Sequence, residues 1–215
     1  DFVVRCRGCL EEKRAGNGTG AADLDLGGLL RSLHGWLRPR TYLEIGTGPG
    51  YFLSLAGSGT RVIGVEPVSG QPWGPLGSAA KIFPLTSGEF FSRRLLEREL
   101  GGEALDLVLL GEKKPMEALA RDLVALAPYA HSSTLVLVPG LGEEAAAEMA
   151  RLLPATEHLV LSVGGVPLLA IRNLGKGPAR WEGGKPSVPG GDRPDAFLWT
   201  RLLDFAGNPP DAAPW

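Results

Sequence analysis

The chain has 215 residues and a mass of 22.7 kDa, with 44% hydrophobic and 21% charged residues, as in an ordinary globular protein with a substantial core. Its 22 Lys and Arg and 24 Asp and Glu residues give a formal net charge of −2, so the composition does not indicate a nucleic-acid partner. The sequence contains no apolar run of the roughly 18 residues that a membrane helix needs, and we expect no membrane partner. Because the chain begins at Asp1 rather than at Met, upstream targeting stays open, and the cytoplasm is the default expectation.

The first 22 residues combine mixed charges with a glycine-rich run, which predicts an irregular N-terminal arm, residues 1–22. This arm holds both cysteines, Cys6 and Cys9, as one C-x-x-C pair. A zinc site needs four ligands, and no second cysteine pair or closely spaced histidine pair completes one. An exposed free pair is the favoured interpretation, and a disulfide or redox pair and a metal site are the alternatives.

From Asp23 to Pro39 the apolar residues recur at helical spacing, which predicts an amphipathic helix that packs against a sheet. Short apolar runs then alternate with helical patterns, as in a parallel sheet covered by helices on both faces. Strands are predicted over 41–45, 60–65, 81–85, 105–110 and 134–138, and over 157–163 and 166–171, which flank the turn Gly164-Gly165 as a hairpin. Helices are predicted over 50–57 and around 91–100, 116–126 and 141–152. The fold class is therefore α/β.

The main domain is predicted to span residues 23–173, and residues 174–215 form a Gly- and Pro-rich tail with one helix near Phe197 to Phe205. Three tryptophans lie in this tail, Trp181, Trp199 and Trp215. Aromatic residues in such a segment usually pack on their own domain, which is the favoured expectation. A lid over a substrate and a contact in a homodimer are the alternatives.

The most informative stretch of the sequence follows the first predicted strand of the sheet. Glu44 precedes three glycines at alternate positions, Gly46, Gly48 and Gly50. A dinucleotide fingerprint, G-x-G-x-x-G, would need a glycine where Tyr51 stands, so that fingerprint is absent. The pattern acid-x-G-x-G-x-G instead resembles motif I of the class I S-adenosylmethionine-dependent methyltransferases. Glu66, which ends the second predicted strand, is similar to the acid of that family's second motif.

The resemblance covers about residues 41–172 and implies a Rossmann-like seven-stranded sheet, mostly parallel, with a terminal antiparallel hairpin and S-adenosylmethionine as cofactor. The residues that it places at the cofactor are Glu44, Gly46, Thr47, Gly48, Gly50, Glu66, Pro67, Thr86 and Ser87. The sulfonium and ammonium charges of this ligand favour a nearby carboxylate such as Glu44, and Glu66 can accept hydrogen bonds from both ribose hydroxyls. Thr86 and Ser87 stand where the family contacts the adenine, and an ordinary helix cap is their alternative role.

The stretch after the fourth predicted strand departs from the branch of the family that it resembles most. Small-molecule O-methyltransferases carry an Asp-Gly-Asp-His-type sequence there, whereas this chain has Gly111-Glu112-Lys113-Lys114. After the fifth predicted strand, Pro139-Gly140 stands where related enzymes have acids. Hard divalent cations need several oxygen ligands, and these positions supply few. No metal site is therefore expected.

Two functions follow from these observations. One is a metal-independent methyltransferase that acts on a small molecule mainly by aligning the acceptor with the methyl group. Its candidate proton-accepting residues are Glu112, Lys113, Lys114 and His131. The other is a protein that keeps the cofactor-binding fold without catalysis and acts in binding or scaffolding. Aminopropyl transfer shares the fold but would need acidic residues where the two lysines stand.

Overall fold

The structure is a computed structural model that describes residues 3–4, 26–67, 80–111 and 114–175, together with residue 202. Predictions for the rest of the N-terminal arm, for Glu112 and Lys113, and for the rest of the tail lie outside the described residues. Among the described helices, none combines the length and the apolar character needed to cross a lipid bilayer.

In the described part of the chain, eight strands form one sheet in the order β1-β7-β8-β6-β5-β2-β3-β4. They are β1 (Val3–Val4), β2 (Thr41–Ile45), β3 (Arg61–Val65), β4 (Ala80–Phe83), β5 (Leu105–Leu110), β6 (Ala130–Pro139), β7 (Glu157–Val163) and β8 (Val166–Arg172). Only β8 runs antiparallel to its described neighbours, β6 and β7. The predicted seven-stranded, mostly parallel sheet with a terminal hairpin is confirmed. The additional strand β1 corrects the prediction of an irregular arm at these two residues, and it pairs with β7, which would otherwise be an open edge.

Successive residues of the strands point to opposite faces, and both faces are buried. In β5, Leu107 and Leu109 belong to one core layer, and Val108 and Leu110 belong to the other. An apolar run without alternation is typical of a strand that is covered on both faces. This pattern is the reason that a strand such as β5 could be predicted from the sequence. The sheet is therefore the middle of three layers.

Helices cover both faces of the sheet. They are α1 (Leu26–Leu37), α2 (Ser87–Ser92), α3 (Leu95–Leu100), α4 (Met116–Leu126) and α5 (Glu143–Leu152), with 3-10 turns at Phe52–Leu55 and Ala127–Tyr129. The layer that contains Leu107 includes the buried face of α1, Leu53 of the first 3-10 turn, and Leu202 of the tail, which is fully buried. The opposite layer holds apolar residues of α2, α3, α4 and α5. At Leu202, therefore, the tail packs on its own domain.

Two helices differ from the prediction. The helix predicted over 50–57 is only the 3-10 turn Phe52–Leu55, because the Ser54 hydroxyl donates to the Tyr51 carbonyl and Gly57 follows two residues after the turn ends. The helix predicted around 91–100 is divided into α2 and α3 by Arg94, whose φ of 53° is left-handed. In α5, Leu152 is the last helical residue and is 50% exposed.

Candidate functional site

The candidate site lies at the carboxyl end of β2, where the strand order reverses. The chain moves from β2 outward to β3 and β4 and then returns to β5 on the other side of β2. At such a point the chain connections after neighbouring strands leave in opposite directions. The crevice outside the carboxyl ends of these strands is the usual ligand position in open α/β sheets. The loop from Gly46 to Gly50 follows β2, Glu66 follows β3, and Gly111 follows β5.

Backbone hydrogen bonds join the three loops around the crevice. The Gly46 N–H donates to the Val65 carbonyl, and the Gly111 N–H donates to the Ile45 carbonyl, each with 2.9 Å between N and O. A Cβ at Gly111 would lie 2.8 Å from the carbonyl oxygen of Gly46, which is closer than any real side chain tolerates. Glycine at position 111 therefore allows the loops after β2 and β5 to approach each other.

The three glycines of the loop all have left-handed backbone conformations. Their φ angles are 81° at Gly46, 50° at Gly48 and 79° at Gly50. Residues with a Cβ rarely adopt such angles, so the spacing of the glycines follows from the path of the loop. A Cβ at Gly48 would meet no atom within 4 Å among the described residues. This face of the loop is open, as the approach of a ligand to the backbone requires.

Glu66 spans from the end of β3 to the glycine loop. Its Oε2 accepts a hydrogen bond from the Gly48 N–H, with 2.9 Å between the two atoms, at a solvent-exposed position. Pro67 follows and is exposed. Thr47 is buried, and its methyl group lies near Gly64 of β3, so its side chain supports the loop from below. Only the backbone of Thr47 is therefore suited to a ligand contact.

Glu44 is the most unusual group at this site because its carboxyl is completely buried. The Tyr42 hydroxyl donates to Glu44 Oε2 at 3.1 Å, and Glu44 Oε1 has no hydrogen-bond partner among the described residues. Burial raises the pKa of Glu44 from 4.5 to about 8, the hydrogen bond from Tyr42 opposes this rise, and the charge of Glu66 adds to it. The ring of Tyr42 packs edge-on against buried His34, at 4.9 Å between centroids.

Thr86 caps helix α2. Its hydroxyl accepts from the Glu89 N–H at 3.2 Å, and Glu89 Oε2 accepts from the Thr86 N–H at 3.0 Å, so the two residues form a capping box. Thr86 therefore serves as a helix cap, the alternative role that the sequence analysis gave it. The neighbouring Ser87 hydroxyl accepts from Lys114 Nζ at 3.1 Å and so faces the segment after β5.

Lys114 forms a nearly buried ion pair that sequence reasoning did not find. Its Nζ lies 2.7 Å from Asp122 Oδ2, and the two side chains are 10% and 7% exposed. From the sequence, Lys114 was a candidate proton acceptor, and Asp122 had no predicted role. The (i, i+8) separation spans a loop and the first turns of α4, and no sequence rule links residues at that distance.

Of the candidate proton acceptors that the structure describes, His131 lies away from the crevice. His131 lies at the amino end of the interior strand β6, whereas the crevice lies at the carboxyl ends of the parallel strands, and it is 1% exposed. Its Nδ1 accepts from the Ser133 N–H at 3.1 Å, so its Nε2 carries the proton and donates to Asp106 Oδ1 at 3.0 Å. His131 is therefore a structural residue that joins β5 and β6. Glu112 and Lys113 lie outside the described residues.

Among the described residues, no group of three or more His, Cys, Asp or Glu side chains is arranged to hold a metal ion. Metal independence stays a prediction, since Glu112 belongs to the part of the chain that is not described.

Comparison with solved structures identifies proteins with the same fold. An O-methyltransferase from Bacillus cereus in complex with S-adenosylhomocysteine (SAH) has a TM-score of 0.54 and 15% identity, covering 72% of this chain and 84% of that one. A putative O-methyltransferase from Klebsiella pneumoniae has a TM-score of 0.51 and 14% identity, covering 72% and 83%. At these identities the likeness establishes the Rossmann-like fold alone. No protein-family model matches the sequence, and no curated protein is significantly similar to it.

Proposed function

We propose that the chain is an S-adenosylmethionine-dependent methyltransferase. The observation that carries this proposal is the arrangement around Gly48: an open, left-handed glycine backbone with Glu66 hydrogen-bonded to it and the buried carboxyl of Glu44 in the strand just before the loop. The O-methyltransferase structures with the same fold support it, since one of them holds SAH.

The residues of the crevice fit the parts of this ligand. Glu66 lies at the tip of β3, where a carboxylate can accept hydrogen bonds from both hydroxyls of a ribose. Glu44 has an unpartnered Oε1 that suits the ligand's ammonium group. The open backbone at Gly48 leaves room for the part of the ligand between these two ends, and Pro67 and Ser87 are the residues that we expect beside the base. S-adenosylmethionine carries no phosphate, so the absence of a long helix directly after the loop does not weaken the fit.

The bound ligand would supply an activated methyl group. The chain's own contribution is to hold the acceptor in line with that methyl and to exclude water, which can lower the barrier by several kcal/mol. A small-molecule acceptor and a metal-independent reaction are parts of this proposal. The small-molecule acceptor rests only on the resemblance to the small-molecule O-methyltransferases. Metal independence rests on the departure of Gly111 and Lys114 from the metal-binding pattern and on the absence of an acid pair at Pro139-Gly140.

Calorimetric titration with S-adenosylmethionine and SAH tests the pocket. We expect both to bind the full chain and expect Gly48→Arg to abolish binding, because the new side chain would occupy the open face of the loop. Gly101→Arg is the matched control. Gly101 has a similar φ of 59°, and a Cβ added there would meet no described atom within 4 Å, but it follows α3, away from the crevice. Absence of binding to the unmodified chain would overturn the proposal.

Catalysis is tested separately with hydroxyl-, amine- and carboxyl-bearing small molecules and radiolabelled S-adenosylmethionine, with and without EDTA. Methyl transfer that persists in EDTA supports the metal-independent enzyme. Binding without transfer to any acceptor favours the non-catalytic alternative, and transfer that needs an added divalent ion contradicts metal independence.

A further inference from the structure

Lys114 joins two segments that follow strands far apart in the sheet. Ser87 begins α2, after β4, and Lys114 lies between β5 and α4. In the sheet, β2 and β3 separate β5 from β4, which places the ends of β5 and β4 roughly 14 Å apart at the usual strand spacing. Lys114 Nζ nevertheless lies 3.1 Å from Ser87 Oγ. The two segments therefore meet across the carboxyl ends of β2 and β3, on the side of the crevice that α2 and α4 cover.

Asp122 of α4 holds the Lys114 ammonium from a second direction. The distance from Nζ to Asp122 Oδ2 is 2.7 Å, and the two side chains are 10% and 7% exposed. Separating a nearly buried ammonium from its carboxylate is costly, because neither charge is solvated by water. Lys114 is therefore suited to holding a neighbouring group in place, and it is poorly suited to the role of proton acceptor that the sequence allowed.

The Ser87 hydroxyl keeps its own hydrogen available. An ammonium group only donates, so Ser87 Oγ is the acceptor in its contact with Lys114. Within the described residues, the hydrogen of this hydroxyl has no acceptor. Thr86 already caps α2, so the helix does not need the Ser87 side chain for that purpose. The half-buried hydroxyl is thus a donor whose oxygen the protein holds in place.

We propose that Lys114, held by Asp122, is a positioning residue for recognition of the ligand's base. Its ammonium fixes the oxygen of Ser87, so that the Ser87 hydroxyl donates to a ring nitrogen of the base. The inference rests on the proposed function, because S-adenosylmethionine supplies that base. Ring nitrogens of adenine accept hydrogen bonds, whereas a C–H group in the same place does not. Lys114 acts through Ser87 and selects bases that have an acceptor at this position.

Deaza analogues of SAH test the hydrogen bond to the base. Calorimetry with the full chain compares SAH with its 1-deaza, 3-deaza and 7-deaza analogues, in each of which C–H replaces one ring nitrogen. We expect the unmodified chain to bind at least one analogue roughly 2- to 10-fold more weakly than SAH, as for the loss of one neutral hydrogen bond. Ser87→Ala should remove this difference by weakening SAH alone. Ser87→Thr keeps a hydroxyl and should retain the difference.

A second set of variants tests Lys114. Lys114→Met combined with Asp122→Leu leaves no charge unpaired and should reduce the same difference between SAH and the analogue, because Ser87 is no longer held. Lys114→Arg keeps the cation but moves its donors, so it should also reduce the difference, and it tests the same point if the double variant does not fold. Glu97→Gln, at an exposed ion pair of α3, is the control and should leave these affinities unchanged.

The outcomes separate this inference from the proposed function. If SAH does not bind the unmodified chain, the proposed function fails and the inference fails with it. If SAH binds but Ser87→Ala weakens SAH and every analogue equally, the inference is overturned and the proposed function stands. The inference is also overturned if the Lys114 variants weaken SAH and the analogues alike, because Lys114 would then support the fold without orienting Ser87.

Discussion

Glu66 accepts a hydrogen bond from the backbone N–H of Gly48, with 2.9 Å between Oε2 and N, although the two residues belong to loops that follow different strands. The carboxylate thereby fixes the most exposed turn of the glycine loop before any ligand is present. It can serve as the ribose acceptor without a rearrangement of β3, because Glu66 N–H is itself anchored on the Phe83 carbonyl.

Removal of this carboxylate should affect both the loop and the ligand. We expect Glu66→Ala to weaken SAH binding by roughly 10- to 100-fold, because charge-assisted hydrogen bonds of this kind contribute about 1.5–3 kcal/mol. Glu66→Gln keeps an acceptor for the Gly48 N–H and should leave the NMR shift of the Gly48 amide closer to that of the unmodified chain. Unchanged SAH affinity in Glu66→Ala would contradict the proposed role of Glu66 as the acceptor for the ribose hydroxyls.

Glu44 should make the ligand-free protein less stable as the pH rises. Its pKa is about 8 in the folded chain and near 4.5 when unfolded, so the folded state binds more protons between these values. The free energy of unfolding therefore falls from pH 4.5 to pH 8, by roughly 2–5 kcal/mol. Chemical denaturation at pH 5.0, 6.5 and 8.0 should show that Glu44→Gln removes this decline. If the free energy of unfolding changed with pH in the same way in both proteins, Glu44 would not be the cause of the decline.

His34 should have the opposite effect in an overlapping range. Its pKa is about 4 when folded and 6.5 when unfolded, so the unfolded state binds more protons between these values, and stability is lost as the pH falls through them. His34→Phe keeps a ring against Tyr42 and removes two unpartnered nitrogens. We expect this variant to be more stable at pH 5 and to unfold at lower pH. A variant that loses stability at pH 5 would show that the imidazole has a partner in solution.

The central strands β2, β3, β5 and β6 were predictable because each is a short apolar run covered on both faces, and that pattern has few other interpretations. The elements that were predicted incorrectly depend on a backbone angle or on a neighbouring strand, which residue types do not indicate. Nothing in the residue type of Arg94 indicates its left-handed φ, which separates α2 from α3. Val3–Val4 becomes a strand only because the edge of β7 is available to it.

The candidate site was predictable in position but not in its electrostatics. The glycine spacing located the loop, and the acids Glu44 and Glu66 were recognised from their places at strand ends. The sequence predicts that α1 packs on the sheet, but it does not show that Glu44 is completely buried there or that Tyr42 is its hydrogen-bond partner. His131 was a candidate because the predicted strand began at residue 134 and left it in a loop, whereas β6 begins at Ala130 and contains it.

Gly175 should be intolerant of any side chain. A Cβ at this position would lie 1.9 Å from the Ala130 carbonyl oxygen, and the neighbour is backbone that cannot move aside. We expect Gly175→Ala to destabilise the protein by more than about 2 kcal/mol. Gly35→Ala is the control, since Gly35 is helical and a Cβ added there would meet no described atom within 4 Å. This variant should stabilise α1 by about 0.5–1 kcal/mol. Equal thermal stability of both variants would contradict the close approach.

The ion pair of Lys114 and Asp122 should be important because both side chains are nearly buried, with 2.7 Å between Nζ and Oδ2. Asp122→Asn leaves a buried ammonium without its carboxylate, and we expect a loss of roughly 3–5 kcal/mol of unfolding free energy. Lys114→Met combined with Asp122→Leu should lose much less than the two single changes together, since no charge is left unpaired.

The control for this prediction is the exposed pair of Arg94 and Glu97, whose side chains are 76% and 49% exposed. Glu97→Gln should cost less than about 1 kcal/mol, because solvent screens exposed ion pairs. Because Lys114 also donates to the Ser87 hydroxyl, Asp122→Asn should weaken SAH binding more than Glu97→Gln does. Additive effects at Lys114 and Asp122 in urea denaturation would show that their pairing adds nothing to stability.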